Sequence, residues 1–378
     1  MDALALTDAR RVMCAAPRTR GAQETHVVVF VVVGAFASAN MSCVVRQRMR
    51  TSARCVFVCV LTVTRASMAS PPTTTMGPGE GIELMKARNA RMHSAESVAH
   101  GRQFNIRSDD IMCCTYPKCG TTWCTQILHQ IRCAHAGIDG ESFDEITEVV
   151  PWDVLALDCG LDLDGEQVAK PRLYKSHESA TTVRRGGRYV VVVRDPTDVF
   201  NSFYEFLPAY LGIERGAITP EEFADAIFAG ASHSGGFGEH YLSWFDARAG
   251  NPENVLMLAY EDMKSDLGAV VDRIAAFMRI ELDAASRALV LERSSFAYMR
   301  NNPKFDDHLV RGKVAKQIGL PPDSNFTVGK VRDGGGVVGD GARKQPLAVR
   351  EAIQAKWSAQ MVPRGFASYD DFRAALHL

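Results

Sequence analysis

The chain has no cysteine after Cys159, although it is 378 residues long and contains ten cysteines. A disulfide framework would be spread through the whole fold, so this distribution excludes one. Five of the ten lie between Cys113 and Cys133, and we expect reduced, mostly buried thiols there. The cysteines also lack the paired spacing of a zinc site, and no metal is therefore expected.

Acidic residues are missing between Glu24 and Glu80. Residues 1–79 carry nine arginines and three acidic residues, a net charge of +6, whereas the rest carries 34 basic and 41 acidic residues, a net charge of −7. The apolar runs 27–39 and 55–63 are shorter than the roughly 20 residues of a membrane-spanning helix. We therefore predict that residues 1–80 are a poorly ordered extension without stable membrane insertion.

The role of this extension is left open by its sequence. An Arg-rich, acid-poor segment is typical of a transit peptide, and a basic start with an apolar run is typical of a signal peptide. A membrane anchor and an over-extended start, with initiation at Met41, Met49, Met68 or Met76, are the alternatives. The expected location is cytoplasmic, or an organelle or the secretory route if the extension is a targeting peptide.

The composition excludes other classes. A hydrophobic content of 46% with 23% charged residues is that of a soluble globular protein. The formal net charge of −1 argues against a dedicated nucleic-acid binder, which would normally be strongly basic.

Residues 81–378 are predicted to form one α/β domain after a breaker-rich linker at 71–79. Strand-like and helix-like runs alternate, which predicts a mainly parallel sheet flanked by helices. The predicted strands are 111–115, 172–175, 189–193 and 255–259. The predicted helices are 122–133, 197–206, 221–230, 239–249, 265–280, 284–292 and 347–358.

The loop at 115–123, Thr-Tyr-Pro-Lys-Cys-Gly-Thr-Thr-Trp, connects the first strand to a helix. Exposed backbone N–H groups and a helix N-terminus in such a loop favour an anion. A Walker A loop would read Gly-x-x-x-x-Gly-Lys-Ser/Thr. Because Lys118 precedes Gly120 here, the loop does not predict ATP bound in that way.

Polar groups follow each predicted strand. They are Lys118, Lys175 with His177, Arg194, and Tyr260. Ligands of open parallel sheets bind beyond the carboxyl ends of the strands. We therefore expect these four clusters to converge on one site.

Together these motifs resemble the sulfotransferase family that uses 3'-phosphoadenosine 5'-phosphosulfate (PAPS). Residues 116–123 match its 5'-phosphosulfate loop with one departure, and Arg194 with Ser202 matches its 3'-phosphate motif. Residues 171–177 match the segment with the catalytic histidine, and 260–263 and 294–299 match two later motifs. The resemblance covers roughly residues 83–378 and implies a P-loop-like sulfotransferase fold with PAPS as co-substrate and no metal.

The resemblance also implies roles. His177 is the general base, Lys118 stabilises the leaving group, Lys175 stabilises the sulfuryl oxygens, and Ser202 contacts the 3'-phosphate and restrains the lysine. The expected contacts to PAPS, or to its product 3'-phosphoadenosine 5'-phosphate (PAP), come from Lys118, Cys119, Gly120, Thr121, Thr122, Trp123, Arg194, Ser202, Tyr260, Ser294, Phe296, Arg332 and Gly334.

Two departures from the family pattern stand out. Cys119 replaces a serine, and a pKa lowered by Lys118 would make its thiol sensitive to oxidation. The C-terminal glycine motif has Arg332 and Gly334, but Asp333 replaces a lysine and two residues are extra. The family's short dimer motif is not visible, so we expect a monomer or a homodimer.

The acceptor is predicted only as a small, partly apolar alcohol, phenol or amine. Loops carrying Trp152, Phe206, Tyr210 and Phe237 are expected to line its pocket. The alternatives are a Golgi-type carbohydrate sulfotransferase with an N-terminal anchor, a P-loop kinase, and a non-catalytic nucleotide-binding protein.

Overall fold

The structure, a computed structural model, describes residues 49–51, 54–56, 77, 79–231, 235–300, 302–320, 329–331 and 336–377. The chain divides into two compact units, 1–74 and 75–378. In the first unit, strands β1 (Met49–Thr51) and β2 (Arg54–Val56) pair antiparallel. The apolar run 27–39 and most of 55–63 lie outside the described residues, as do the expectations attached to them.

The second unit contains a four-stranded sheet formed by β3 (Ile111–Thr115), β4 (Leu173–Ser176), β5 (Arg188–Val193) and β6 (Val255–Ala259). The strand order is β4-β3-β5-β6, and all three pairings are parallel. The predicted parallel sheet is therefore confirmed, with strand ends that differ by at most one residue from the prediction.

Both faces of the sheet are covered, as is usual for a parallel sheet. Along β5, Val191 and Val193 pack into one hydrophobic cluster, whereas Val190 and Val192 pack into the other. Successive side chains of a strand point to opposite faces, so an unbroken valine run fits a strand buried on both sides.

Fifteen α-helices surround this sheet in the described part of the chain. They are α1 (Glu80–Asn89), α2 (Ala95–Gly101), α3 (Thr121–Ala136), α4 (Ile146–Val149), α5 (Pro196–Tyr210), α6 (Pro220–Ala226), α7 (Phe237–Gly250), α8 (Tyr260–Ser265), α9 (Leu267–Met278), α10 (Ala284–Arg293), α11 (Phe296–Met299), α12 (His308–Ile318), α13 (Asp340–Lys344), α14 (Leu347–Gln360) and α15 (Tyr369–Ala375).

All seven predicted helices are present, with two corrections. The segment predicted as 265–280 starts only at Leu267, because the Asp266 carboxylate accepts from Ala269 N at 2.9 Å and begins a new helix. The segment predicted as 221–230 passes at Ile227 into a π-helical turn, in which Gly230 has φ 93°.

Six cysteines lie in the described part of the second unit, and all are free and buried. This confirms the expected cluster of reduced thiols for those positions. No helix among the described residues is long and apolar enough to cross a bilayer.

Candidate active site

Two residues with a left-handed backbone conformation shape the loop between β3 and α3. Lys118 has φ 71° and Gly120 has φ 99°, and Thr115 and Thr121 hold the ends together through a 2.5 Å contact between their hydroxyl oxygens. A Cβ on Gly120 would lie 2.8 Å from the Tyr260 ring. The glycine is therefore required both by its conformation and by its neighbour.

The N-terminus of α3 offers unused donors. Within the described structure, the backbone N–H groups of Gly120, Thr121, Thr122 and Trp123 donate to no acceptor, and the first helical bond runs from Cys124 N to Gly120 O at 3.0 Å. These groups form the positive end of a 16-residue helix, which favours a bound anion.

Cys119 does not behave as the sequence predicted. Its N–H donates to Tyr116 O at 3.2 Å within the loop, so it is not available to a phosphate. Its thiol is fully buried, with Sγ 3.3 Å from the Tyr241 hydroxyl. Burial raises the pKa of Cys119 to about 12. A Cys119 pKa lowered by Lys118, the condition for a thiol sensitive to oxidation, is therefore not met, because the two side chains have different surroundings: the Lys118 ammonium lies 3.5 Å from the centre of the Phe206 ring.

His177 follows β4 and is oriented by the adjacent strand. Its Nδ1 lies 2.8 Å from Thr115 O at the end of β3. Because a carbonyl only accepts, Nδ1 carries the proton and Nε2 is the basic nitrogen. Burial, and then the charge of Lys175, holds the pKa of His177 well below its usual value. The imidazole is therefore neutral at neutral pH.

Lys175 lies inside β4 and is 5% exposed. Its N–H donates to Pro151 O at 2.8 Å, which places the next residue, Trp152, beside it. The Lys175 ammonium lies 3.8 Å from the Trp152 ring centre and 3.9 Å from the Asp307 carboxylate. Burial lowers the pKa of Lys175 to about 8.

Asp307 and Lys330 were missed by the sequence reasoning. Asp307 is 2% exposed, and its carboxylate forms ion pairs with Lys175 and Lys330. Burial alone would raise its pKa, but the two lysines outweigh burial and bring it to about 2. No local pattern could have revealed these contacts, since the three residues are far apart in the sequence.

Arg194 follows β5 and is nearly buried. Its guanidinium lies 4.2 Å from the Tyr260 ring centre, and one nitrogen donates to Lys118 O at 3.3 Å. The Asp198 carboxylate is 3.7 Å away but accepts mainly from Gly339 N and Gly341 N, at 2.9 and 2.7 Å. Arg194 Nε has no hydrogen-bond partner among the described residues, so the guanidinium retains an unused donor.

Some of the residues that were predicted to contact the nucleoside lie next to one another in the structure. Trp123 Nε1 donates to Ser294 O at 2.7 Å, and the Trp123 and Tyr260 rings lie 5.7 Å apart. Phe296 lines the same cleft. Ser294 is fully buried and is not among the residues that line it. Arg332 and Gly334 lie outside the described residues.

One open cleft, with about 1420 Å³ of empty space including the solvent at its mouth, joins the four strand ends. The structure brings together in its lining these predicted residues: Lys118, Gly120, Thr121, Thr122, Trp123, Lys175, His177, Arg194, Ser202, Tyr260 and Phe296. The same lining contains the predicted Trp152, Phe206 and Tyr210, together with residues that the sequence did not indicate: Asn89, Met92, His93, Val154, Phe203 and Leu207.

Phe237 is not part of this lining. It is 6% exposed and packs against Tyr241 and Trp357, with ring centres 6.1 and 6.4 Å away. Its predicted place in the acceptor pocket is therefore wrong, because α7 begins at Phe237 and turns this side chain into the core.

The amino-acid sequence is similar to those of known proteins. Residues 108–325 match the family model described as sulfotransferase domain. The mouse (Mus musculus) sulfotransferase 1 family member D1 is 30% identical over 254 residues, which cover 62% of this chain and 83% of the relative. The rabbit (Oryctolagus cuniculus) amine sulfotransferase is 27% identical over 208 residues, which cover 53% and 66%.

Solved structures share the fold. Retinol dehydratase, solved with androsterone and the inactive cofactor PAP, aligns over 74% of this chain and 93% of its own, with 17% identity and a TM-score of 0.55. Mouse sulfotransferase SULT7A1, solved with PAP, aligns over 71% and 90%, with 21% identity and a TM-score of 0.50. The expected sulfotransferase fold is confirmed. Because the family model also spans more than half of its length, the chain belongs to the sulfotransferase family of enzymes.

Proposed function

We propose that this cleft transfers the sulfuryl group of PAPS to a hydroxyl or amine of a small, partly apolar acceptor. The observation that carries the proposal is the meeting of Lys118, Lys175 and His177 around one cleft, beside the free N–H groups of α3. Sulfuryl transfer needs positioning and positive charge around developing negative charge, as phosphoryl transfer does.

The residues present fit a doubly phosphorylated nucleotide. The N-terminus of α3 and Lys118 suit the 5'-phosphate end, and Arg194 with its unused Nε suits the 3'-phosphate. Trp123, Tyr260 and Phe296 supply aromatic faces for the base. PAP is present in the solved structures of two proteins with this fold, which supports PAPS as the co-substrate.

His177 performs the proton transfer in this proposal. Its Nε2 takes the proton of the acceptor as the acceptor oxygen or nitrogen bonds to sulfur. The sulfur–oxygen bond to the 5'-phosphate breaks, and its electron pair stays on that phosphate, which Lys118 and the α3 N–H groups neutralise. Lys175 stabilises the sulfuryl oxygens, and Ser202 restrains the lysine side chain.

The acceptor side is mainly apolar, with Met92, Phe203, Phe206 and Leu207 in its walls. Such walls favour a small molecule with an apolar body over a carbohydrate. The name of the rabbit relative, amine sulfotransferase, supports keeping amines among the candidates.

A transfer screen tests the proposal. Labelled PAPS is supplied with pooled small molecules and glycans, and wild type is compared with His177→Ala and with the exposed control His135→Ala. Loss of a general base predicts a rate about 10²–10⁴-fold lower for His177→Ala alone. Equal rates for all three proteins would reject His177 as the base. Labelling of glycans instead of small molecules would favour the carbohydrate alternative.

A binding experiment separates the nucleotide alternatives. PAP should raise the melting temperature of the protein, whereas ATP with Mg²⁺ should have little effect. The reverse result would favour the P-loop kinase alternative. Binding of PAP without any transfer would favour a non-catalytic protein.

A further inference from the structure

A buried carboxylate that the proposed reaction does not use lies in the lining of the cleft. Asp307 is 2% exposed, and its Oδ2 lies 3.9 Å from the Lys175 ammonium and in direct ionic contact with the Lys330 ammonium. The two lysines come from separate elements, β4 and the segment 329–331. One acid therefore holds two cations at the site of transfer.

The position of Asp307 in its own helix points away from a purely structural role. Asp307 precedes α12, where an aspartate normally caps the first turn by accepting from a backbone N–H. Here α12 has no side-chain cap, and Asp307 adopts φ 61°. The carboxylate therefore faces the lysines instead of satisfying its helix.

We propose that Asp307 is a positioning residue that keeps the Lys175 ammonium charged and directed at the site of transfer. This inference rests on the proposed role of Lys175 in sulfuryl transfer. The charged and titratable groups that interact with Lys175 come from several elements around it: Asp307, Lys330, Glu145, Asp153, His177, Cys113 and Cys159.

Asp307 is the acid that the described structure places in ionic contact with Lys175. Burial raises the pKa of Asp153 to about 7, so this side chain is only partly ionised at neutral pH. Burial, followed by the charge of Asp307, also raises the pKa of Glu145. Without Asp307, the Lys175 and Lys330 ammonium groups would lose the one carboxylate with which both form ion pairs in the described structure.

Neutralising Asp307 and neutralising Lys330 should change the pKa of Lys175 in opposite directions. Asp307→Asn removes the attraction at 3.9 Å and should lower the Lys175 pKa by about one to three units. Lys330→Met removes a repulsion and should raise it. If Lys175 acts while protonated, the fall of the transfer rate at high pH moves with its pKa, to lower pH in the first variant and to higher pH in the second.

The Lys175 pKa is measured directly by titrating ¹³C-labelled lysine side chains by NMR, with Lys175→Arg to identify the signal. Asp306→Asn, which changes the neighbouring acid, is the matched control and should leave the Lys175 pKa unchanged. Asp307→Glu should recover part of the wild-type value. PAP binding and a melting curve show that each variant is folded.

The two proposals fail separately. An unchanged Lys175 pKa in Asp307→Asn, or shifts of the same sign in Asp307→Asn and Lys330→Met, would overturn the role of Asp307 even if wild type transfers sulfate. If no pool of acceptors is labelled but the Lys175 pKa shifts as predicted in both variants, the proposed function is rejected. The electrostatic coupling between Asp307 and Lys175 would still be established.

Discussion

Gly120 offers the sharpest test of how the loop builds the anion site. In Gly120→Ala the new Cβ would lie 2.8 Å from Tyr260 Cδ2, at a residue whose φ is 99°. The left-handed conformation alone costs an L-residue roughly 1–2 kcal/mol. The contact adds to this, because the Tyr260 ring must shift, and that ring packs against the Arg194 guanidinium at 4.2 Å.

The shift of Tyr260 should weaken the nucleotide site specifically. A cation–π contact contributes about 0.5–2 kcal/mol, and the geometry of the α3 N–H groups changes with the loop. We therefore expect PAP affinity to fall about 10–100-fold, which corresponds to roughly 1.4–2.8 kcal/mol. The assay is calorimetric titration with PAP, together with a melting curve for each protein.

Gly137→Ala is the matched control at the other end of α3. Gly137 also has a positive φ, 66°, but a Cβ there would have no neighbour within 4 Å. The Gly137→Ala variant should lose about 1 kcal/mol of unfolding free energy, seen as a melting temperature about 2–4 °C lower. Its affinity for PAP should be unchanged. Equal PAP affinities for Gly120→Ala and Gly137→Ala would refute the reasoning, because strain without the Tyr260 contact would then explain both.

Three further predictions follow from buried groups. Since the pKa of Cys119 is about 12, alkylation of this thiol near neutral pH should be about 10³-fold slower than that of an exposed cysteine; rapid labelling of Cys119, measured by mass spectrometry, would contradict its burial. Arg172→Leu leaves the buried Asp110 carboxylate without its ion-pair partner at 2.5 Å and should lower the free energy of unfolding, measured with urea, by about 3–5 kcal/mol. An unchanged urea midpoint would contradict this prediction. In the proposed reaction His177 is a neutral base, and its pKa is lowered, so the rate should fall only well below about pH 6.5; a midpoint at or above that value would exclude His177 as the group that titrates.

The sheet could be predicted because its strands carry their own signal. The β-branched run of β5, unbroken by polar residues, fits a strand buried on both faces whatever surrounds it. The positions of Lys118, His177 and Arg194 followed from the same step, because each one comes just after a strand of one parallel sheet. Convergence on one cleft is a consequence of that topology.

The parts that failed depend on contacts between distant segments. Whether the Cys119 thiol faces Lys118 or the core is decided by Tyr241, which lies on α7. The partnership of Lys175 with Asp307 likewise joins β4 to the start of α12. Periodicity and motif spacing report only near neighbours in the chain, so neither contact could be read from them.

The contacts between distant segments also set the charge inside the cleft. Residues 80–378 carry a net charge of −7, yet the described lining of the cleft holds four cations, Lys118, Lys175, Arg194 and Lys330, against two acids, Glu178 and Asp307. An acidic domain repels extended polyanions such as nucleic acids, whereas a cleft whose lining carries an excess of positive charge attracts a compact anion that fits inside it. Asp307 limits the repulsion among the clustered lysines without cancelling their charge, since one carboxylate faces two ammonium groups. The cleft therefore keeps a positive interior within an acidic domain, an arrangement that suits the small, multiply charged co-substrate proposed above.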